Sequence, residues 1–220
     1  MERMLGKHGL EFEYMLENDI PDLTGDFLDA YFAGDFCKPT PVSSCASKHL
    51  RVFEKMIAEN IPEALVLEDD IYLKKKFRQV LRKSRQEMAE MVQEDTPFWV
   101  GFEASCLKIV PFSRRKKGQV AYLGNMIQCM GAYYLNRAMA KLIVDTAHQE
   151  KISIPIDWYV DSIRARGTDA FYWSYPPVAE QGSHTGLMRT SLGGRQKNRL
   201  KKYISRRTTL FFREVAALLR

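Results

Sequence analysis

Apolar positions along the chain switch between a helical period and short unbroken runs. Over residues 43–60, Ala46, Leu50, Phe53 and Ile57 fall on one face of a helix that Ser43 or Ser44 can cap. Ile61-Pro62-Glu63 interrupts it, and Ala64-Leu65-Val66-Leu67 follows without polar alternation, as in a strand buried on both faces of a parallel sheet. That run stops abruptly at Glu68-Asp69-Asp70. Helical spacing returns from Phe77 to Gln93 through Val80, Leu81, Met88 and Met91, and Phe98-Trp99-Val100 is a second short strand ending at Gly101. Residues 106–123 hold two strand-like runs around a basic turn at Ser113 to Gly118. Met130 to Ala147 has helical periodicity after Gly131, and Phe171 to Tyr175 reads as a strand stopped by Pro176-Pro177. At the start, Met1 to Lys7 reads as the end of a helix, Leu10 to Met15 alternates like a strand, and residues 16–42 read as loop with short helical pieces. Helices alternating with short buried strands predict an α/β sandwich with a largely parallel sheet.

Composition agrees with a globular protein: 220 residues, 45% hydrophobic and 27% charged. No run reaches the roughly 18 apolar residues of a membrane span, and residues 1–19 lack the apolar core of a secretory leader. Cys37, Cys45, Cys106 and Cys129 match no zinc-motif spacing and read as reduced thiols. The net charge of +6 is unevenly spread. Residues 189–220 carry ten Lys/Arg against Glu214, a balance of +9, while residues 1–188 carry 23 against 26 acids, a balance of −3. A mildly acidic body thus bears a strongly basic tail, which divides the chain into a domain over 1–190 and a tail over 191–220.

Three consecutive acids at the carboxyl end of a buried strand sit where ligands bind in open α/β sheets. They repel one another unless a cation or solvent compensates, and their oxygens are the hard ligands that Mg²⁺ or Mn²⁺ prefer. In an extended segment Glu68 and Asp70 point one way and Asp69 the other, so Glu68-x-Asp70 can grip a ribose–diphosphate–metal unit. The bland alternative is a solvated acidic turn.

Ala64-Leu65-Val66-Leu67-Glu68-Asp69-Asp70 resembles the signature of glycosyltransferase family 25, bacterial lipooligosaccharide glycosyltransferases with relatives that glycosylate collagen. Upstream, Cys45 and His49 fall where the family has Cys-x-x-Ser-His at the start of a helix, although Lys48 replaces the Ser. Downstream, Trp99-Val100-Gly101 resembles the family's strand ending in Gly, and Gly131-Ala132-Tyr133-Tyr134-Leu135 its Gly-Thr-x-x-Tyr turn and helix. Pro155-Ile156-Asp157 and Tyr175-Pro176-Pro177 through Gln181 resemble two later elements. The family's opening apolar strand and Arg-rich turn have no match here. The resemblance therefore implies a GT-A-like nucleotide-sugar-binding sandwich with a mostly parallel central sheet lacking its first strand.

The same resemblance implies a metal-dependent, inverting transfer of a hexose, galactose first, from a UDP-sugar to a lipooligosaccharide or other surface glycan. Asp70 and Glu68, completed by His184, would hold Mn²⁺ or Mg²⁺, and His49, Glu68, Asp69, Gly101 and Gln181 would contact the donor. Inversion needs a base for the acceptor hydroxyl. Asp157 is the first candidate and Asp161, one helical turn on, the second. Asp157 can equally be a helix N-cap, and His184 an ordinary loop residue. Trp99, Trp158, Tyr133, Tyr134, Tyr172 and Trp173 could stack on sugars, though most suit a core.

Over residues 195–220, Leu200, Ile204, Phe211, Val215 and Leu218 form an apolar stripe among Arg and Lys, the pattern of a helix on an anionic membrane surface. A docked terminal helix with a solvated basic face fits the same pattern. Nucleic-acid binding is not expected, given the acidic body and the lack of a recognition motif. The expected location is the cytoplasmic face of the inner membrane, held peripherally. Two rivals remain: a truncated homologue acting as a binding module, and a metal-dependent phosphohydrolase using the same carboxylates.

Overall fold

The computed structural model describes residues 1–104, 109–127, 129–167, 170–185 and 199–218. A short helix α1 (Glu2–Lys7) and α2 (Gly25–Tyr31) precede α3 (Pro41–Ala58). Helix α3 starts a little before the expected point. Thr40 is its N-cap, and a capping box closes it: Thr40 Oγ1 accepts from the Ser43 N–H at 3.1 Å while Ser43 Oγ accepts from the Thr40 N–H at 2.9 Å. Then come β1 (Glu63–Leu67), β2 (Ile71–Leu73), α4 (Phe77–Met91), β3 (Trp99–Gly101), β4 (Ala121–Leu123) and β5 (Ala132–Asn136). They are followed by α5 (Arg137–Glu150), α6 (Ile156–Ala165), β6 (Phe171–Ser174), β7 (Ala179–Gln181), α7 (Gly182–Thr185) and α8 (Arg199–Leu218).

The main sheet has the order β1-β5-β3-β6-β4, and β2 pairs with β7 in a small second sheet. The mixed α/β class stands, but the expected mostly parallel sheet does not. The pair β3–β6 runs parallel, while β1–β5, β5–β3 and β6–β4 run antiparallel. An unbroken apolar run reports burial on two faces, which either strand direction permits. Strand β5 inserts between β1 and β3 against both, so β1, β3 and β6 still share one direction.

Strand β5 also corrects the single helix expected over Met130 to Ala147. Its residues alternate between two cores, Tyr133 and Leu135 on one side, Ala132 and Tyr134 on the other. With both faces buried, no polar alternation marks it as a strand. Asn136 makes the switch to helix: its Oδ1 accepts from the Met139 N–H at 3.0 Å, capping α5, and from the Phe98 N–H at 3.1 Å. Leu10 to Met15, expected as a strand, forms none; Phe12, Tyr14 and Leu16 stand exposed, and no strand among the described residues pairs with them. Of the two runs expected within 106–123, the second is β4, and residues 105–108 of the first lie outside the described residues.

Helices α2, α3, α5 and α6 cover one face of the sheet through Phe27, Leu50, Phe53, Ile143 and Val160. Helix α4 covers the other, packing Phe77, Val80 and Met88 on Val100, Phe102 and Tyr134. Trp99 stacks on Tyr133 with ring centroids 3.8 Å apart, so both belong to the core. At one edge of the sheet the carboxyl ends of β1 and β3 meet the amino end of β5: Leu67 lies opposite Ala132 and Gly101 opposite Tyr133.

Within the basic tail, Arg199–Leu218 form helix α8, and it docks. Arg115 pairs with Glu214 at 3.0 Å, Arg206 reaches the Ala104 carbonyl at 3.5 Å, and Ala217 is buried. Residues 191–198 and the side chains of Leu200 and Leu218 lie outside what is described. Among the described residues no helix is long and apolar enough to cross a membrane.

Candidate functional site

The acidic triplet is a turn between β1 and β2 rather than an extended segment. Glu68 ends the β1 ladder, its N–H donating to the Gly131 carbonyl at 2.8 Å, and the Ile71 N–H turns back to the Glu68 carbonyl at 3.3 Å. The turn leaves Asp69 exposed and Glu68 and Asp70 half-buried. Pairing of Ile71 with Gln181 then brings the start of α7 beside the acids. The Gly182 N–H donates to the Asp70 carbonyl at 2.7 Å, and the Ser183 N–H to Asp70 Oδ2 at 2.9 Å. Asp70 Oδ1 is buried and accepts no hydrogen bond among the described residues. Gln181 is held similarly on one side: its Nε2 donates to Glu68 Oε2 at 2.5 Å, while its Oε1 is buried with no donor among the described residues. Buried oxygens left without a donor are uncommon and costly, and these two are hard oxygens at one corner.

Behind the turn lies α3. Cys45 and His49 are one helical turn apart and face Glu68. His49 is buried; its Nδ1 shares a 2.7 Å hydrogen bond with the Tyr133 hydroxyl, and its Nε2 lies 3.4 Å from Glu68 Oε1. Burial opposes a charge on this imidazole, but hydrogen bonds and attraction to Cys45 and Glu68 outweigh it and raise its pKa to about 10. Burial, and then the charge of Glu68, push the Tyr133 phenol well above its ordinary value, so it stays neutral.

Asp157 lies in the first turn of α6, where the N-cap is Pro155, so the capping role does not fall to it. Its Oδ1 accepts from the Trp158 N–H at 3.0 Å. Burial raises its pKa; the charge of Glu68 adds to this and that of His49 opposes it, which ties Asp157 electrostatically to the α3–β1 corner. Trp158 beside it is 66% exposed, the one tryptophan of the three that is not core. Asp161 is engaged elsewhere: its Oδ1 accepts from the Ile127 N–H and from Arg164 Nε, both at 2.8 Å, pinning a loop to α6. Gly101 is buried within the sheet between Tyr133 and Trp173. The backbone of His184 lies in α7, and its side chain is outside what is described.

Ser183 and Glu103 carry no mark in the sequence, and Tyr133, a sugar-stacking candidate there, is a buried partner of His49 instead. Glu103 is buried and accepts from the Ala132 N–H at 3.0 Å, holding the start of β5. Nothing local marks it, although period-two alternation beyond β3 places it on the side of Gly101. The helical spacing of Met130 to Ala147 masks β5 and, with it, Tyr133 as the partner of His49.

Residues 42–160, more than half of the chain, match the model of glycosyltransferase family 25 (LPS biosynthesis protein). That span holds Cys45, His49, the acidic turn, Gly101, Tyr133 and Asp157; Asp161, Gln181 and the basic helix fall beyond it. No curated protein matches the chain. With the acidic turn at the sheet edge, and the α3 and α6 residues around it all inside the matched span, the chain belongs to glycosyltransferase family 25, a family of lipopolysaccharide-biosynthesis glycosyltransferases.

Proposed function

We propose that this protein transfers a hexose, galactose first among candidates, from a UDP-sugar to a lipooligosaccharide or related surface-glycan acceptor, with inversion at the anomeric carbon. The observation that carries the reading is Asp70 Oδ1, a buried carboxylate oxygen with no donor among the described residues, at the sheet edge where family membership leads one to seek the donor. Gln181 Oε1 is a second such oxygen. Both suit Mn²⁺ or Mg²⁺, which take oxygen ligands and keep open positions for phosphate. Bound there, a divalent ion would offset the charge gathering on the β-phosphate of the leaving UDP. Asp69, exposed on the same turn, and Glu68 would contact the donor's sugar or ribose. His49 acts behind Glu68 and orients it.

Asp157 is the proposed base. Its raised pKa favours accepting a proton from the acceptor hydroxyl as the new glycosidic bond forms. Exposed Trp158 offers that acceptor a stacking face. Helix α8 would meet the anionic membrane surface: Ile204, Phe211, Phe212 and Val215 are exposed, with Arg207 flanking them, while another face docks through Glu214 and Ala217. This arrangement would hold the site near a lipid-linked acceptor.

The test is UDP release from a panel of UDP-hexoses with purified protein, with and without Mn²⁺ and lipooligosaccharide acceptor. Release that requires both the metal and the acceptor supports transfer. Donor hydrolysis indifferent to acceptor would replace this reading with the phosphohydrolase, and no release from any donor would leave a binding module.

A further inference from the structure

We propose that Cys45, His49 and Glu68 form a zinc-type site, separate in ligand chemistry from the hard-oxygen corner at Asp70. The thiol sulfur, an imidazole nitrogen and a carboxylate oxygen all lie within 4.8 Å of one another. A thiolate–imidazole–carboxylate set is the donor mixture that zinc accepts and that Mg²⁺ and Mn²⁺ do not favour. The cysteine spacing hides such a site, because one cysteine, one histidine and one glutamate from two elements form no cysteine-rich motif.

The geometry supports this beyond mere proximity. His49 Nε2 and Glu68 Oε1 are 3.4 Å apart, long for a hydrogen bond. Two N/O ligands at zinc distances of about 2.0–2.1 Å in tetrahedral geometry stand roughly 3.3–3.4 Å apart. The spacing is therefore that of neighbouring ligands on one ion. Both ligands are also held from behind. The Tyr133 hydroxyl, 2.7 Å from Nδ1, fixes the ring and leaves Nε2 for the metal, the usual support of a metal-bound histidine. Gln181 Nε2, 2.5 Å from Glu68 Oε2, holds the far carboxylate oxygen. The elements are rigid: the capping box fixes the start of α3, and the β1–β5 ladder fixes Glu68 through the Gly131 carbonyl. Binding requires His49 Nε2 to give up its proton to solvent and Cys45 to bind as the thiolate, leaves a fourth position for water, and clamps α3 to the end of β1.

The experiment titrates Co²⁺, a spectroscopic stand-in for Zn²⁺, into the purified full chain and records thiolate-to-cobalt charge transfer and tetrahedral d–d absorption. Of the Co²⁺ taken up, one per chain should give both signals and be displaced by Zn²⁺. Cys45→Ser should lose the charge-transfer band and His49→Ala should lose tight binding, while Cys37→Ser and Cys129→Ser keep both. Gln181→Leu removes only the amide behind Glu68 and should weaken Zn²⁺ binding about 10–100-fold with the protein folded. Asp70→Ala should leave the cobalt spectrum intact, so this site stands or falls apart from the donor-metal assignment. Absence of a thiolate band, its survival in Cys45→Ser, or unchanged Zn²⁺ affinity in His49→Ala would overturn the proposal and leave a hydrogen-bonded Cys–His–Glu cluster without metal.

Discussion

Gly131 is the tightest point of the acidic corner. Its carbonyl accepts the Glu68 N–H, and its Cα faces the side chains that hold the turn. A methyl group on it would stand 2.7 Å from Ile71 Cδ1 and 2.8 Å from Gln181 Cγ, well inside van der Waals contact. Its φ lies outside the left-handed region, so the effect of Gly131→Ala is steric rather than conformational. Overpacking of this kind costs about 1–3 kcal/mol, offset by up to about 1 kcal/mol from the smaller unfolded-state entropy of alanine. Taken at the middle of both ranges, a net loss of about 1–2 kcal/mol lowers the melting temperature by roughly 2–8 °C in a chain of this size. Gln181 must also retreat, which loosens its grip on Glu68 and should weaken the proposed Mn²⁺-dependent binding of UDP. Gly101→Ala is the control: the nearest atoms, Trp99 Nε1 and the Tyr172 carbonyl, are 3.9 Å away, ordinary contact. Its melting temperature should equal or exceed that of the parent. Calorimetric scans of the three proteins decide the matter. A Gly131→Ala protein as stable as the parent, or a Gly101→Ala protein equally damaged, would refute the packing described at this corner.

Asp157→Asn should reduce transfer about 10²–10⁴-fold, the usual weight of a general base. It should not lower stability at neutral pH. A carboxyl whose pKa is raised by folding costs stability as pH climbs past its unfolded value, about 3.9 for Asp. Asparagine removes that cost, so the variant melts at or above the parent at pH 7, and the difference vanishes in acid below the unfolded pKa; a lower melting point at pH 7 would contradict the assignment. Trp158→Ala should raise the acceptor KM with little change in melting temperature, because the side chain is 66% exposed; an unchanged KM would remove it from the acceptor site. Phe211→Ser with Phe212→Ser should abolish co-sedimentation with anionic liposomes while preserving the fold, both rings being more than 60% exposed. Equal sedimentation of the double variant would reject the membrane role of α8.

Much of this architecture is visible in the residue pattern, and the failures have physical causes. Helices α3 and α4 and strands β1, β3 and β6 announce themselves because breakers bracket them: Pro62 before β1, the acids after it, Gly101 at the end of β3, Pro176 after β6. Strand β5 does not, since a segment buried on both faces carries no period, and the true signal, the Asn136 cap, sits inside a stretch that scans with helical spacing on both sides of it. Strand direction is equally silent, being set by how the chain returns between β1 and β3. The alternation of Leu10 to Met15 misleads because alternation alone does not supply a partner strand. In the candidate site, the acidic turn and the Cys45/His49 pair are readable from position and helical spacing. The orphaned oxygen of Asp70 is not, because it depends on α7 arriving through the β2–β7 pairing. Nor is the docking of α8, which rests on Arg115 and Glu214, 99 residues apart.

The donor site stands most directly on Asp70, and titration calorimetry of UDP into the parent protein and Asp70→Ala, each with and without Mn²⁺, tests it. UDP binding that strengthens with Mn²⁺ in the parent and loses that dependence in Asp70→Ala is the predicted result. Equal UDP affinity in the two proteins, with Mn²⁺ making no difference to either, would contradict it.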